Sequence, residues 1–459
     1  MTLKPNLAIV SAILLLTACG QPVQRAGKEC VSELETSAKA STVNTHSGPV
    51  CGYIDDGVYI YKGIPYGQAK RFMAPTDPEP WKEVRASRSY GPVAPHGDRM
   101  GWQDDNQAFT MHWDDGYPGE DCLRVNVWTS RIKADAKMPV MVWLHGGGFS
   151  EGSSQEQAGY DGTNLARNHG VVVVSLNHRL NALGFLDLGA YGAKYAHSGN
   201  VGMMDIVKAL EWVKANIANF GGDPSNVTIF GQSGGGGKVS TLMAMPSAKG
   251  LFHKAIVESG SIFNLMDPKY SRRIGAATVA KLGLKPSQID QMAEVPYEQL
   301  LAAYREAVLD ISAEARQDGA LPANFLDMIL FGQCPVVDGD IIPFQPSTPE
   351  ALALQQAGDR TAAGCAPVYF YQFTWESPVL DGALGSTHCI EIPFVFDNVL
   401  RHRTFTGGGA DAVELGHRVS RLWTSFAKTG KPQAEGMPEW EPWPNYMKIN
   451  INSTINKIH

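Results

Sequence analysis

The stretch TIFGQSGGGG, residues 228–237, constrains the fold more than any other part of the chain. A short apolar run ends in consecutive glycines, and a helix-like segment follows. The pattern therefore predicts a strand, a sharp turn and a helix. Two chemistries use such a turn: backbone amides can cradle a phosphate, or a serine, here Ser233, can be presented as a nucleophile.

The spacing of the glycines separates these two hypotheses. A phosphate-binding loop needs a glycine, four residues, then Gly-Lys and a hydroxyl residue. If GK at 237–238 is that pair, Gln232 stands where the first glycine belongs and Val239 where the hydroxyl belongs. The nucleophile pattern G-x-S-x-G is satisfied by residues 231–235. The sequence thus favours Ser233 as a nucleophile.

A second glycine motif, HGGGF at 145–149, directly follows the apolar run VMVWL. Acyl transfer creates an oxyanion, and backbone N–H groups fixed in a glycine loop can stabilise it. A nucleophile turn combined with an HGGG loop is typical of lipases and esterases. We interpret His145 as an anchor for this loop and not as a proton carrier.

Several short apolar runs are compatible with strands of a parallel sheet that helices cover on both faces. Between two of them, residues 199–224 place apolar side chains at helical spacing and end in Gly221-Gly222. Strand, helix and strand form the unit of a doubly wound α/β sheet. Residues 267–330 have helical composition and are predicted to be a cap insertion. The predicted strands are 139–144, 171–176, 227–230, 254–259 and 367–373.

The N-terminus resembles a bacterial lipoprotein signal. Residues 1–18 combine Lys4 with an apolar run that is too short to span a bilayer, and LTAC places Cys19 at a lipidation site. Ordinary cleavage and release is the alternative. Residues 19–42 are predicted to be a polar tether and residues 43–459 the folded domain. We therefore expect an exported protein of the cell envelope, held at the membrane by lipid.

Charge and cysteine content narrow the possible partners. A net charge of -7 without a basic tract argues against nucleic-acid binding. Small neutral substrates are more compatible with this charge. Six cysteines besides Cys19 allow 15 pairings if the protein is exported and oxidised. No CxxC or HExxH pattern occurs, so neither a metal nor another cofactor is predicted.

Taken together, seven segments between about residues 45 and 445 resemble the type B carboxylesterase family, which includes bacterial carboxylesterases and cholinesterases. The family has an α/β-hydrolase fold and hydrolyses carboxylic esters with a serine, a histidine and usually a glutamate. Some members have lost catalysis and act in adhesion. The segments are YKGIPYG with RFMAP, EDCLRVNVW, HGGGF, NHRLNALGF, GNVGMMD, NFGGDPSNVTIFGQSGGGG and HCIEIPFVFDN.

The resemblance implies roles for individual residues. Ser233 corresponds to the nucleophile and His388, which precedes EIPFVF, to the general base. The oxyanion hole would be formed by the backbone N–H groups of Gly147, Gly148 and Gly234. Many members have Glu-Ser-Ala at this turn, so Gln232 removes a negative charge that favours cationic substrates. Cys122 lacks the cysteine that is its usual disulfide partner in the family.

The largest departure concerns the acid of the triad. The family places a segment resembling GTNxDEG, with the glutamate that orients the histidine, between the counterparts of PVVDG and PVYFYQF. No such motif lies between Asp338 and Tyr369, so the triad acid is unknown. The fold is expected to lack one late strand and the C-terminal end. A serine esterase of short neutral esters and a catalytically impaired homologue with a binding role both remain open. Seven carboxylates near this gap are expected to lie in turns or on the surface: Asp338, Asp340, Glu350, Asp359, Glu376, Asp381 and Glu391.

Overall fold

A computed structural model describes residues 34–97, 105–111, 113, 116–261, 264–319, 331–343, 345, 361–362, 364 and 366–458. The signal segment, Cys19, Glu350 and Asp359 lie outside these ranges. Within them, no helix is long and apolar enough to cross a membrane. In the described residues the strands are β1 Thr42–Asn44, β2 Pro49–Cys51, β3 Tyr53–Asp55, β4 Val58–Pro65, β5 Arg85–Ala86, β6 Arg124–Thr129, β7 Met138–Leu144, β8 Val172–Leu176, β9 Gly222–Gln232, β10 Lys254–Glu258, β11 Phe370–Phe373, β12 Asn445–Ile449 and β13 Thr454–Lys457.

Helices lie on both faces of a seven-stranded sheet with the order β10-β9-β7-β8-β6-β4-β3. Strands β10, β9, β7 and β8 are parallel to one another, whereas β8-β6, β6-β4 and β4-β3 pair antiparallel. The α-helices of the described chain are α1 Ala38–Ser41, α2 Asp105–Met111, α3 Thr163–His169, α4 Asn181–Phe185, α5 Val201–Asn216, α6 Gly234–Leu242, α7 Pro268–Lys281, α8 Tyr297–Gln317, α9 Ile392–Val395, α10 Arg403–Thr406 and α11 Ala410–Thr429.

Alternate residues of β7 show how the two faces are built. Val140 and Val142 belong to a core that includes α5, α7 and α8, whereas Met141 and Trp143 belong to a second core with α3 and α11. Side chains of a strand point alternately to opposite faces, so an apolar run buries both. The helix predicted within 199–224 is α5, and it ends through a 3₁₀ turn at Gly221, whose φ is 81°.

Two sequence-based expectations need correction. The folded domain begins before residue 43, because the backbone of Glu35 pairs with Ile54 and the buried Ser41 hydroxyl donates to the Gly52 carbonyl. Strand β11 does not extend the main sheet, which ends at β10 in the described residues. It pairs in parallel with β12, in a separate sheet that also contains β13. The interval between β10 and β11 is the one in which the family resemblance predicts a missing late strand.

The described cysteines Cys51, Cys122 and Cys389 are free and buried, and Cys334 is buried. Cys122 forms no disulfide among the described residues. Cys30 and Cys365 lie outside the described residues.

Candidate active site

Ser233 occupies the sharp turn between β9 and α6. Its backbone has φ 58° and ψ -123°, a conformation that is strained for a residue with a side chain. Its N–H donates to the Glu258 carbonyl at 2.8 Å, and its carbonyl accepts from the Gly237 N–H at 3.0 Å. The first bond fixes the turn to β10, and the second fixes it to α6. The serine hydroxyl is thereby presented at the carboxyl end of the parallel strands.

The glycines around Ser233 are required by close backbone contacts. A Cβ on Gly235 would lie 1.9 Å from the Leu144 carbonyl oxygen at the end of β7. A Cβ on Gly260 would lie 2.3 Å from the Ser233 carbonyl oxygen. Real Cβ atoms do not approach so closely, and the turn can therefore form only with small residues at these positions.

The HGGG loop packs directly against this turn. A Cβ on Gly234 would lie 2.2 Å from the Gly148 carbonyl oxygen, and one on Gly146 would lie 3.6 Å from the Ser233 Cβ. Gly147 and Gly148 have positive φ values of 76° and 59°. Within the described chain, the N–H groups of Gly147, Gly148 and Gly234 donate to no protein acceptor. The structure thus gathers the three predicted oxyanion donors beside the serine.

His388 lies beside the residue that precedes the serine. The Nε2 of Gln232 lies 3.3 Å from Nδ1 and 3.4 Å from Nε2 of the imidazole. His388 remains partly exposed to solvent. Protein atoms still surround its ring closely enough for desolvation to lower the pKa of His388 below 6.5. No hydrogen bond joins the Ser233 hydroxyl to His388 in the described residues, and catalytic contacts often tighten only when substrate binds.

Two buried carboxylates lie next to Gln232: Glu258, its partner across the strands, and Glu391, which hydrogen-bonds to its side chain. Trp423 Nε1 donates to Oε1 of Glu258 at 2.7 Å, while Oε2 has no partner among the described residues. Burial, reinforced by Glu391, raises the pKa of Glu258 to about 8. Burial raises the pKa of Glu391 to about 7, against the opposing effect of its hydrogen bonds, one of them to Gln232. Glu391 therefore lies in a turn, as the sequence suggested, but it is buried and not on the surface.

The other described carboxylates near the gap agree with the sequence-based expectation. Asp338 is half-buried and accepts from the backbone N–H groups of Asp340 and Ile342, which closes a turn. Asp340, Glu376 and Asp381 are exposed. Sequence reasoning missed Glu258, although a charged residue that ends the apolar run KAIVE beside the nucleophile strand is a usable signal.

Sequence reasoning also missed Lys238, which is fully buried in α6 beneath the HGGG loop. Its Nζ donates to the carbonyls of His145 and Gly148, both at 2.9 Å, and lies 3.4 Å from that of Gly146. Burial lowers the pKa of this lysine to about 7, with Glu156 opposing the shift. His145 is buried and stacks on His178, with ring centroids 5.3 Å apart. Burial and the nearby Lys238 lower its pKa well below 6.5, which suits a neutral loop anchor.

Comparison with known proteins identifies relatives for this arrangement. The model of the Carboxylesterase family matches residues 39–361 and 350–458, two segments that together cover most of the chain and overlap at residues 350–361. A para-nitrobenzyl esterase of Bacillus subtilis (strain 168) is 32% identical, covering 88% of this chain and 92% of its own length. That alignment has 469 positions and the chain 459 residues, so part of the relative has no counterpart here.

A second relative, a phenmedipham hydrolase of Pseudarthrobacter oxydans, is 29% identical and covers 86% of this chain and 92% of its own length. Among solved structures, an esterase of Clostridium hathewayi described as able to hydrolyse aliphatic aromatic polyesters superimposes with a TM-score of 0.78. It is 32% identical, covering 91% of this chain and 95% of its own. This structural neighbour confirms the α/β-hydrolase fold predicted from the sequence.

Proposed function

The chain belongs to the carboxylesterase family and is a carboxylic ester hydrolase, and we propose that Ser233 is its nucleophile and His388 its general base. The observation that carries this proposal is the strained turn that presents Ser233 beside three unpaired N–H groups. Ser233 Oγ attacks the ester carbonyl carbon while His388 accepts the hydroxyl proton. The carbonyl oxygen becomes an oxyanion, which Gly147, Gly148 and Gly234 stabilise.

The second half of the reaction uses the same groups. His388 returns its proton to the leaving alkoxide, and the alcohol departs from the acyl-enzyme. A water molecule then loses a proton to His388 and attacks the acyl carbon. The bond from that carbon to Ser233 Oγ breaks, His388 returns the proton to Oγ, and the carboxylic acid is released. Gln232, whose amide contacts the imidazole, is placed to restrain the ring in the absence of the usual acid segment.

Small neutral carboxylic esters are the substrate class that the site supports best. Gln232 is neutral, and both buried carboxylates next to it have pKa values raised by burial, which reduces the negative charge available to attract a cation. The named relatives include a para-nitrobenzyl esterase. We therefore expect hydrolysis of p-nitrophenyl acetate and butyrate.

Wild type and Ser233→Ala, assayed side by side on these esters, test the proposal. Turnover should disappear in Ser233→Ala and persist in Ser225→Ala, which changes an exposed serine of the same strand. A fluorophosphonate probe should add its mass to Ser233 alone. Equal turnover by folded wild type and Ser233→Ala would favour the catalytically impaired homologue with a binding role.

Location at the cell envelope is a separate proposal, supported by LTAC before Cys19 and by the apolar run of the signal segment. Lipidation through several acyl chains would give a stable anchor. In a bacterial host, Cys19→Ala should lose membrane association and change electrophoretic mobility. A Cys19→Ala protein that stays membrane-bound with unchanged mobility would contradict lipidation.

A further inference from the structure

Lys238 is an unusual buried charge because its ammonium is surrounded by backbone carbonyls. Its three oxygen neighbours belong to His145, Gly146 and Gly148, which are all residues of the HGGG loop. The ring of Phe149 lies 5.5 Å from the same nitrogen. A lysine is seldom fully buried, and a buried charge requires compensating partners. Here the loop that carries the oxyanion donors provides them.

The geometry of the peptide bond links this contact to Gly147. In a trans peptide the C=O of one residue and the N–H of the next point in opposite directions within one plane. The Gly146 carbonyl faces Lys238 at 3.4 Å, and the Gly147 N–H of the same peptide unit therefore points away from the lysine. The shorter bonds to His145 and Gly148 fix the neighbouring peptide units on either side.

The other two oxyanion donors are fixed in the same manner by different groups. The Gly147 carbonyl, which shares a peptide unit with the Gly148 N–H, accepts from Glu151 N–H at 3.1 Å and from Ser150 N–H at 3.3 Å. The Ser233 carbonyl, which shares a unit with the Gly234 N–H, accepts from Gly237. For the Gly147 N–H, the carbonyl of the same peptide unit belongs to Gly146, and the group that contacts it is Lys238.

We propose that Lys238 is a positioning residue of the oxyanion hole, whose buried ammonium orients the Gly147 N–H and adds positive potential behind the developing oxyanion. The proposal deepens the proposed function and rests on it. The titratable groups that face the ammonium are Glu156, His145 and His178. Burial keeps both histidines neutral, because it lowers their pKa values well below 6.5. Across the turn, Glu258 and Glu391 also titrate near neutral pH.

Lys238→Met tests the proposal, because methionine fills similar space without a donor or a charge. We expect kcat on p-nitrophenyl butyrate to fall by about 10- to 100-fold, below the 10²- to 10³-fold typical for loss of a complete donor. KM should stay within about threefold. Affinity for an alkyl trifluoromethyl ketone, which forms an oxyanion with the serine, should fall by the same factor as kcat. Affinity for the matching methyl ketone should not change.

Lys254→Met is the matched control, because Lys254 is a half-buried lysine on β10 that donates to the Ala427 carbonyl, away from the loop. It should leave kcat and both inhibitor affinities unchanged. Failure of the proposed function would be visible earlier, as equal turnover by wild type and Ser233→Ala. A folded Lys238→Met enzyme with wild-type kcat, or with equal losses for both ketones, would overturn the positioning role.

The pH dependence supplies a readout that a purely structural lysine would not change. The ratio of trifluoromethyl ketone to methyl ketone affinity should fall as pH rises through about 7 in wild type and Lys254→Met, because the ammonium is deprotonated there. This fall in the affinity ratio with rising pH should be absent in Lys238→Met, although Glu258 and Glu391 still titrate in that variant. If Lys238→Met does not fold, the shorter and polar Lys238→Gln takes its place. If neither folds, a wild-type ratio that is constant from pH 6 to 9 overturns the proposal.

Discussion

Gln232 and Glu258 are paired across the parallel strands β9 and β10, directly beside the nucleophile turn. The Gln232 side chain contacts His388 and accepts from the Cys389 thiol at 3.2 Å. The Glu258 side chain accepts from the indole of Trp423, on α11. Ser233 therefore follows Gln232, which contacts the proposed base, and its N–H donates to the backbone carbonyl of the buried acid Glu258.

The buried acid predicts a specific dependence of stability on pH. The pKa of Glu258 is raised from 4.5 to about 8 in the folded protein, so its stabilising contribution is complete below about pH 4.5 and is lost as pH rises through 8. Glu258→Gln should remove this dependence and stabilise the protein at pH 8 by on the order of 1–3 kcal/mol. Urea unfolding of both proteins at pH 5, 6.5 and 8 measures the difference. Exposed Glu376→Gln is the control, and parallel curves for wild type and Glu258→Gln would contradict the prediction.

The proposed base predicts the acid side of the rate profile. His388 must be unprotonated to accept the serine proton, and burial lowers its pKa below 6.5. We expect protonation of His388 to reduce kcat/KM only below pH 6.5, so the acid limb of the profile lies under that value. His388→Ala should reduce kcat by about 10⁴- to 10⁶-fold. Exposed His46→Ala should leave the profile unchanged, and a full-rate His388→Ala enzyme would rule out this base.

The turn and the glycine loop could be predicted from sequence because both are encoded locally. A strand, a G-x-S-x-G motif and a helix follow one another without a gap, so the residue pattern alone marks the turn. Glu391 and Lys238 could not be found in this way, because their contacts with Gln232 and with the HGGG loop join residues that are distant in sequence. Glu258 has only the weaker signal of a charge that ends an apolar run. The position of β11 in a separate sheet likewise depends on its pairing with β12, which the apolar pattern of β11 does not reveal.

A buried ion pair close to the site predicts a large loss of stability on mutation. Arg179 donates to Asp205 through Nε at 2.8 Å and through Nη2 at 2.6 Å, and the carboxylate is fully buried. Asp205→Asn leaves the guanidinium charge buried without its partner, which should cost about 3–5 kcal/mol of unfolding free energy. Asp77→Asn breaks an exposed pair with Lys208 and should cost under about 1 kcal/mol. Urea titrations that give equal losses for both variants would contradict the assignment of Asp205 to the core.

The packing of the nucleophile turn against β7 predicts that Gly235 tolerates no side chain. A Cβ there would lie 1.9 Å from the Leu144 carbonyl oxygen, and that oxygen belongs to a strand in the centre of the sheet, which cannot move aside alone. Gly235→Ala should therefore displace the turn from the HGGG loop, with a loss of at least about 2 kcal/mol of stability and of at least about 100-fold in kcat. Gly409→Ala places its Cβ in open space before α11 and should keep full activity. Thermal unfolding and p-nitrophenyl butyrate turnover check both variants, and a Gly235→Ala enzyme with wild-type kcat would show that the turn and β7 are not in contact as described.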